Sequence, residues 1–250
     1  MSGRITEGLE FDSFSSFLDI IAESCPHFVW RGVSNFDCSL VPRVGWRSKR
    51  PRGDTDEKFL ARELTVFEDF RAKARVHAET RSLNTLEWLA LAQHYGLPTR
   101  LLDWTENPLV ALYFAANSYK PSHLKVPGAL FAWHMTTVAN PSTIDPLRIE
   151  SNSFVFAPYV TQRLASQSAV FSISAKPWEE FDPPDGGPER DIVKCKITPR
   201  FKKELINILP KLGITNRFVM SDLDAYAKGS FDMYVNSQCK GHRELARTIA

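Results

Sequence analysis

The segment from Gln93 to Phe114, QHYGLPTRLLDWTENPLVALYF, constrains the fold more than any other part of the chain. Gly96 and Pro98 predict the end of a helix, because glycine readily adopts the left-handed conformation that closes helices and proline does not continue them. Residues 99–104 then predict an extended strand, and Pro108 predicts the start of another helix. The segment is therefore expected to form a helix, turn, strand, helix unit whose polar side chains lie at the junctions, where loops commonly hold functional groups.

The rest of the chain alternates irregularly between helical and strand patterns. Asn84 with Glu87 three residues later predicts a capped helix, and Asp54 with Glu57 predicts another whose inner face includes Leu60 and Leu64. Further helices are expected over residues 14–21, after Pro199 and after residue 222, and strands over residues 28–30, 129–134, 154–159, 169–173 and 192–197. This mixture predicts an α+β fold, a single compact domain over residues 1–250 with a mixed or antiparallel sheet flanked by helices.

Composition excludes several classes of protein. The 31 basic and 29 acidic residues give a net charge of +2, which is too balanced for a general polyanion binder. The cysteines Cys25, Cys38, Cys195 and Cys239 are far apart and have no metal-ligand spacing, so no metal is expected. Since no run of about 18 apolar residues and no secretory signal occur, we expect a cytoplasmic protein that does not enter a membrane. P-loop, GxGxxG, HExxH and GxSxG motifs are absent from the sequence.

Two arginines are the strongest candidates for binding an anion. A guanidinium can hold a pyrophosphate through two parallel charge-assisted hydrogen bonds, and Arg31 and Arg100 both follow apolar or turn segments. Each has a structural alternative: Arg31 can pair with Asp103, and Arg100 with Asp103 or Glu106. If both arginines converge, phosphates or carboxylates must neutralise them, because burying unpaired cations is costly.

Five other residues are candidates for the same site, each with a structural alternative. His94 can carry a proton or bind a ribose hydroxyl, or it can cap and pack at a helix end. Asp103 can stabilise a ribosyl cation or order a turn, and Thr105 can position a sugar or cap a helix. Tyr113 belongs to a group of aromatic residues that can stack on a ring or fill the core. Gln167 can bind a ligand carbonyl or the backbone at a strand end.

Several blocks of this sequence resemble the FRG domain family. They are Trp30-Arg31-Gly32, Leu40-Val41-Pro42-Arg43, LAQHYGLPTRLLDWTENPLVALYFA, RLASQSAVF, and Gly213-Ile214 with Ser221 to Asp224. A weaker resemblance connects this layout with ADP-ribosyltransferases. It implies an ADP-ribosyltransferase-like fold in which Arg31 orders NAD and Thr105 supports the nicotinamide ribose. In such enzymes a later Glu steers the reaction, whereas Gln167 occupies the corresponding position here.

Two functions follow from these residues and from the resemblance. The first is an enzyme that cleaves NAD and passes ADP-ribose to a macromolecular acceptor or to water, with NAD as substrate and no metal. The second is a non-catalytic module that recognises a nucleotide or nucleic acid, with the basic run from Arg43 to Arg52 either as an added contact or as a solvated loop. Metal-independent nuclease chemistry through His94 and Arg100 is a remote third option, which requires His77 and His134 to approach them in space.

Overall fold

The computed structural model describes residues 5–24, 27–46, 51–77, 83–118, 120–135, 137–184 and 191–236. Its strands are β1 (Ile5–Phe11), β2 (Phe28–Val33), β3 (Leu101–Thr105), β4 (Gly128–His134), β5 (Ser153–Phe156), β6 (Ala169–Ile173) and β7 (Ile192–Ile197). Together they form one sheet in the order β1-β7-β4-β2-β3-β6-β5. The β1 and β7 strands pair in parallel, and the other five pairs are antiparallel. The mixed sheet confirms the predicted α+β class.

The α-helices of the described residues are α1 (Phe14–Glu23), α2 (Asp56–Ala74), α3 (Thr85–His94), α4 (Pro108–Ala116), α5 (Gln162–Ser166), α6 (Pro199–Ile208), α7 (Asn216–Met220) and α8 (Leu223–Asn236). No helix among them has the length and apolar character needed to cross a membrane.

Most of these helices cover one face of the sheet. Register partners place Trp30, Thr105 and Ala169 on that face. The α1, α4 and α6 helices pack over the half that carries Trp30, whereas α2 and α3 pack over the half that carries Ala169. On the opposite face, the coil residues Leu40 and Phe181 pack against buried tryptophans. The covered face therefore has a seam between two groups of helices, near the middle of the sheet.

The predicted helix boundaries around the central segment are confirmed. Asn84 caps α3 in a capping box with Glu87, and Gly96 follows the helix with a φ angle of 91°. Asn107 caps α4 through its side chain, and Pro108 is the first helical residue. These boundaries depend on short-range hydrogen bonds and on backbone preferences, which is why the local sequence was sufficient to predict them.

Gly32 is required by the close approach of α4 to β2. A Cβ atom built on Gly32 would lie 1.7 Å from the backbone oxygen of Ala111. No side chain can be accommodated at that distance, so glycine allows the helix backbone to rest directly on the strand. The neighbouring Trp30 is buried in the core beneath the same helix.

Some predicted details of α2 and β2 are wrong. Leu60 and Leu64 were expected to face inward but are exposed, whereas Glu63 is buried because it pairs with Arg100. The N-cap of α2 is Thr55 rather than Asp54. Arg31 was expected at the end of a strand, yet β2 continues through Val33 because it keeps pairing with β4.

The β1 strand was not predicted at all. Its residues are mostly exposed, as an edge strand allows, so they lack the apolar alternation that marks a buried strand. Two other subjects of the sequence analysis lie wholly or partly outside the described residues: Cys25 with Cys239, and the central part of the basic run. Cys38 and Cys195 are free thiols.

Candidate functional site

A cleft opens where β2 and β3 diverge in the middle of the sheet. In the described residues these two strands share a single register pair, Trp30 with Thr105. Two adjoining cavities of about 290 and 170 Å³ lie beside this gap. Both cavities are lined by Arg31, Asp103, Arg163 and Gln167. We call the two together the central cleft.

Arg31 lies at the gap between the strands and bonds across it. Its Nη1 donates to the backbone oxygen of Asp103 at 2.5 Å. Its Nε is buried and has no hydrogen-bond partner among the described residues. Burial lowers the pKa of this guanidinium, although the nearby Asp103 and Cys38 raise it. Arg31 therefore bridges the two strands and retains an unused donor, and a buried donor without a partner is costly unless a ligand accepts from it.

Asp103 is held in place through its side chain. Its Oδ1 accepts a hydrogen bond of 2.6 Å from Nε2 of Gln93 on α3, and Oε1 of Gln93 accepts from the Thr99 hydroxyl. The Asp103 side chain is exposed within the larger cavity and the smaller one. This arrangement fixes the orientation of the carboxylate while leaving it accessible to a ligand, which the alternative role of ordering a turn would not require.

Arg163 on α5 and His94 at the end of α3 also line the larger cavity. The Arg163 guanidinium makes no hydrogen bond or ion pair with any residue that the structure describes. Nδ1 of His94 is buried, also without a partner in the described part of the chain. Burial and the positive charge of Arg163 lower the pKa of His94, and Asp222 partly opposes this effect. His94 is therefore held toward its neutral form, in which one ring nitrogen donates and the other accepts.

Gln167 and Thr105 connect the cleft to the surrounding loops. Nε2 of the buried Gln167 donates to the Val219 carbonyl at 2.9 Å. The Thr105 hydroxyl donates to the backbone oxygen of Gln167 and accepts from the Asn107 backbone N–H at 2.9 Å. Both side chains line the smaller cavity, but the amide nitrogen of Gln167 and the Thr105 hydroxyl already have protein partners. These bonds hold Gln167 in position at the edge of the cleft.

The structure does not bring Arg100 or Tyr113 into the central cleft. Arg100 is buried, and its Nε donates to Glu63 at 2.9 Å in a two-point ion pair that joins the start of β3 to α2. Its partner is thus neither Asp103 nor Glu106, the two carboxylates considered from sequence. Tyr113 lies in the core between α4 and its neighbours, whereas the adjacent Phe114 lines the smaller cavity. His77 and His134 line neither cavity, so they do not join His94 there.

Sequence reasoning did not select several residues that line the cleft. Arg163 belongs to the RLASQSAVF block and Gln93 begins the central segment, so both lie in stretches that carried the family resemblance. Arg43 and Trp46 lie at the start of the basic run and line the larger cavity. The basic run was visible in the sequence, but no local pattern connects this loop with β3. Its arginine and tryptophan were therefore not assigned to the same site as Asp103.

The charges of the cleft favour an anion. Among the described residues, three arginines, Arg31, Arg43 and Arg163, line it, and Asp103 is the one carboxylate that does. Clefts lined by charge of one sign concentrate ligands of the opposite sign. No group of three or more His, Cys, Asp or Glu side chains in the described ranges could hold a metal ion.

The fold and the site together define this protein as an α+β domain with a cationic cleft where two central strands diverge. The family model for the FRG domain matches residues 26–123, which include β2, β3 and α4. Over residues 26–123, this match confirms the FRG resemblance seen in the sequence. No match was found among curated proteins or among solved structures.

Proposed function

We propose that this domain binds NAD in the central cleft and cleaves the bond between nicotinamide and ribose. The observation that carries the proposal is the presence of Arg31, Arg163 and Asp103 in both cavities. The unused Nε of Arg31 and the unpaired guanidinium of Arg163 suit a pyrophosphate, which presents several acceptor oxygens in a small space. A nucleotide without a pyrophosphate would leave part of this positive charge uncompensated.

The proposed reaction breaks the C–N glycosidic bond. Nicotinamide leaves with the bonding electron pair as a neutral molecule, and positive charge develops on the ribosyl carbon. The Asp103 carboxylate, oriented by Gln93, stabilises that charge electrostatically. Water, or a nucleophile on a macromolecular acceptor, then adds to the carbon and loses a proton, which yields ADP-ribose or an ADP-ribosylated acceptor.

Neutral His94 is assigned to a ribose hydroxyl, because its Nδ1 lacks a partner and its lowered pKa keeps one ring nitrogen able to accept. Gln167 is assigned to orienting the reacting ribose through its remaining oxygen, since its nitrogen is bound to Val219. Thr105 has an indirect role, because its hydroxyl holds the backbone of Gln167. Arg100 and Tyr113 have no direct contact with the ligand in this proposal.

The test measures nicotinamide release from NAD by the pure protein, together with NAD binding by calorimetry. Arg31→Ala should abolish binding, and Asp103→Asn should reduce release at least tenfold while NAD still binds. Arg148→Ala is the matched control, because Arg148 is an exposed arginine outside the cleft. Release that is unchanged in folded Arg31→Ala and Asp103→Asn would refute the proposal.

A second candidate is a module that binds a nucleotide or nucleic-acid end without turnover. It is favoured by Gln167, which presents an amide rather than a carboxylate, so Asp103 has no second carboxylate beside it among the described residues that line the cleft. This candidate requires saturable binding that weakens with salt and no release of nicotinamide. Any release above the Asp103→Asn background would exclude it as a full account.

A further inference from the structure

Trp46 presents an aromatic surface at the mouth of the larger cavity. About half of its surface, 49%, is exposed, which is unusual for so large an apolar ring. The ring is nevertheless held, because Nε1 donates to the Val41 carbonyl at 3.0 Å. Trp46 lines the same cavity as Arg31 and Arg163 but does not line the smaller one.

The turn that carries Trp46 is fixed to two other parts of the molecule. Trp46 directly follows a 3-10 turn at Arg43–Gly45. The Val44 backbone N–H donates to the Thr99 carbonyl at 3.4 Å, just before β3. On the other side, a Cβ atom on Gly45 would lie 1.6 Å from the Pro177 carbonyl oxygen. Because the turn is anchored twice, the tryptophan is presented in a set position before any ligand arrives.

We infer that Trp46 is the stacking platform for the adenine ring of the dinucleotide, with Arg43 beside it. An exposed, fixed aromatic ring next to cationic side chains is suited to a planar heterocycle attached to phosphate, because the ring stacks while the cations bind the phosphate. Trp46 lies only in the larger cavity, which has more room for a bicyclic base. The smaller cavity, with Phe114 and Thr105, is left for the nicotinamide end.

This assignment rests on the proposed function, since it uses the same cleft and the same ligand. It extends that function by dividing the ligand between the two cavities. In this division, Trp46 stacks on the adenine and the two arginines Arg31 and Arg163 bind the pyrophosphate. Asp103 acts on the reacting half. The division predicts that Trp46 affects ligands containing adenine and does not affect ligands that lack it.

The test compares the binding of ADP-ribose, AMP and nicotinamide mononucleotide to wild-type protein and to Trp46→Ala. We expect Trp46→Ala to weaken ADP-ribose and AMP by roughly 5- to 150-fold, the range for loss of one base stack. Nicotinamide mononucleotide, which has no adenine, should bind Trp46→Ala as it binds the wild-type protein. Trp46→Phe should restore most of the affinity for ADP-ribose. Phe156→Ala removes an equally exposed aromatic ring outside the cleft and should change none of the three.

The outcomes separate this inference from the proposed function. Loss of ADP-ribose binding in Arg31→Ala but not in Trp46→Ala would overturn the adenine platform and leave NAD binding in the cleft intact. Equal weakening of all three ligands by Trp46→Ala would also overturn it, because the effect would then not depend on the base. Trp46-dependent ADP-ribose binding without release of nicotinamide from NAD would support the platform and end the proposal of cleavage.

Discussion

Arg31 hydrogen-bonds the backbone oxygen of Asp103 rather than its carboxylate, with Nη1 2.5 Å from the carbonyl oxygen. The two residues lie where β2 and β3 have stopped pairing, so a guanidinium N–H supplies a hydrogen bond that a neighbouring strand would otherwise make. The carboxylate of Asp103 is bound by Gln93 instead. The Arg31 guanidinium and the Asp103 carboxylate are therefore not bonded to each other, and each remains available to a ligand.

Arg31→Lys tests whether the geometry of the guanidinium matters as well as its charge. A lysine ammonium cannot both replace the bond to the Asp103 carbonyl and offer a second fixed donor to a phosphate. We expect the affinity for ADP-ribose to fall about 10- to 100-fold, the value of one charge-assisted hydrogen bond. Calorimetry measures this change, and Arg148→Lys serves as the control. Wild-type affinity in Arg31→Lys would show that charge alone suffices.

Gln93→Ala tests the role of Gln93 as a positioning residue for Asp103. Loss of the 2.6 Å bond frees the carboxylate to rotate, and small misplacements of a catalytic group can cost up to about 100-fold in rate. We therefore expect kcat for nicotinamide release to fall by about 10- to 100-fold while the affinity for ADP-ribose stays nearly constant. Gln162→Ala, on the exposed side of α5, is the control. A fall in affinity with unchanged kcat would contradict the assignment.

Gly32→Ala should destabilise the fold more than Gly96→Ala. At Gly96 the cost comes from its φ angle of 91°, with no heavy atom near the new Cβ, and is about 1–2 kcal/mol. At Gly32 the new Cβ meets the Ala111 carbonyl at 1.7 Å, so α4 must move away from β2. We expect a loss of about 3 kcal/mol or more from this overpacking. Urea denaturation followed by circular dichroism compares the two, and a milder effect at Gly32 would contradict the packing argument.

Arg100→Met tests whether Arg100 serves stability rather than binding. Removing one partner of a buried ion pair leaves Glu63 uncompensated and is expected to cost about 3–5 kcal/mol. The double variant with Glu63→Leu should recover part of that loss, because no charge then remains buried alone. ADP-ribose affinity per folded molecule should be unchanged in both. A stable Arg100→Met protein that no longer binds ADP-ribose would contradict this assignment and show that Arg100 takes part in ligand binding.

The lowered pKa of His94 predicts how the stability of the protein depends on pH. Its pKa in the folded protein is lowered from 6.5, first by burial and then by Arg163, while Asp222 opposes this. The unfolded chain therefore takes up the proton at a higher pH than the folded protein does. Stability should fall as the pH drops below about 6.5 and should level off below the folded pKa.

Urea denaturation at pH 7.5 and 5.5 measures this contribution. Wild type should lose more stability between the two pH values than His94→Gln loses. His77→Gln, at an exposed position after α2, should behave as wild type. Equal losses in wild type and His94→Gln would show that His94 does not contribute.

The parts of this fold that follow from short-range interactions could be read from the sequence. Asn84 with Glu87, Gly96 and Pro108 set the boundaries around the central segment. Strands β4 and β6 were recognisable because their side chains are largely buried, and β7 because Ile192, Cys195 and Ile197 are buried. The exposed edge strand β1 gave no such signal, and the rotation of α2 was missed because it depends on a charge pair formed across the fold.

The sequence by itself determined the α+β class, the helix and strand junctions, and the FRG resemblance, since all of these are encoded in neighbouring residues. Only the tertiary structure decided which charged side chains share a site. It placed Arg31 and Arg163 with Asp103, and it turned Arg100 toward Glu63. The reason is physical: a partner in an ion pair or a cleft is selected by strand register and helix packing, which bring together residues far apart in the chain.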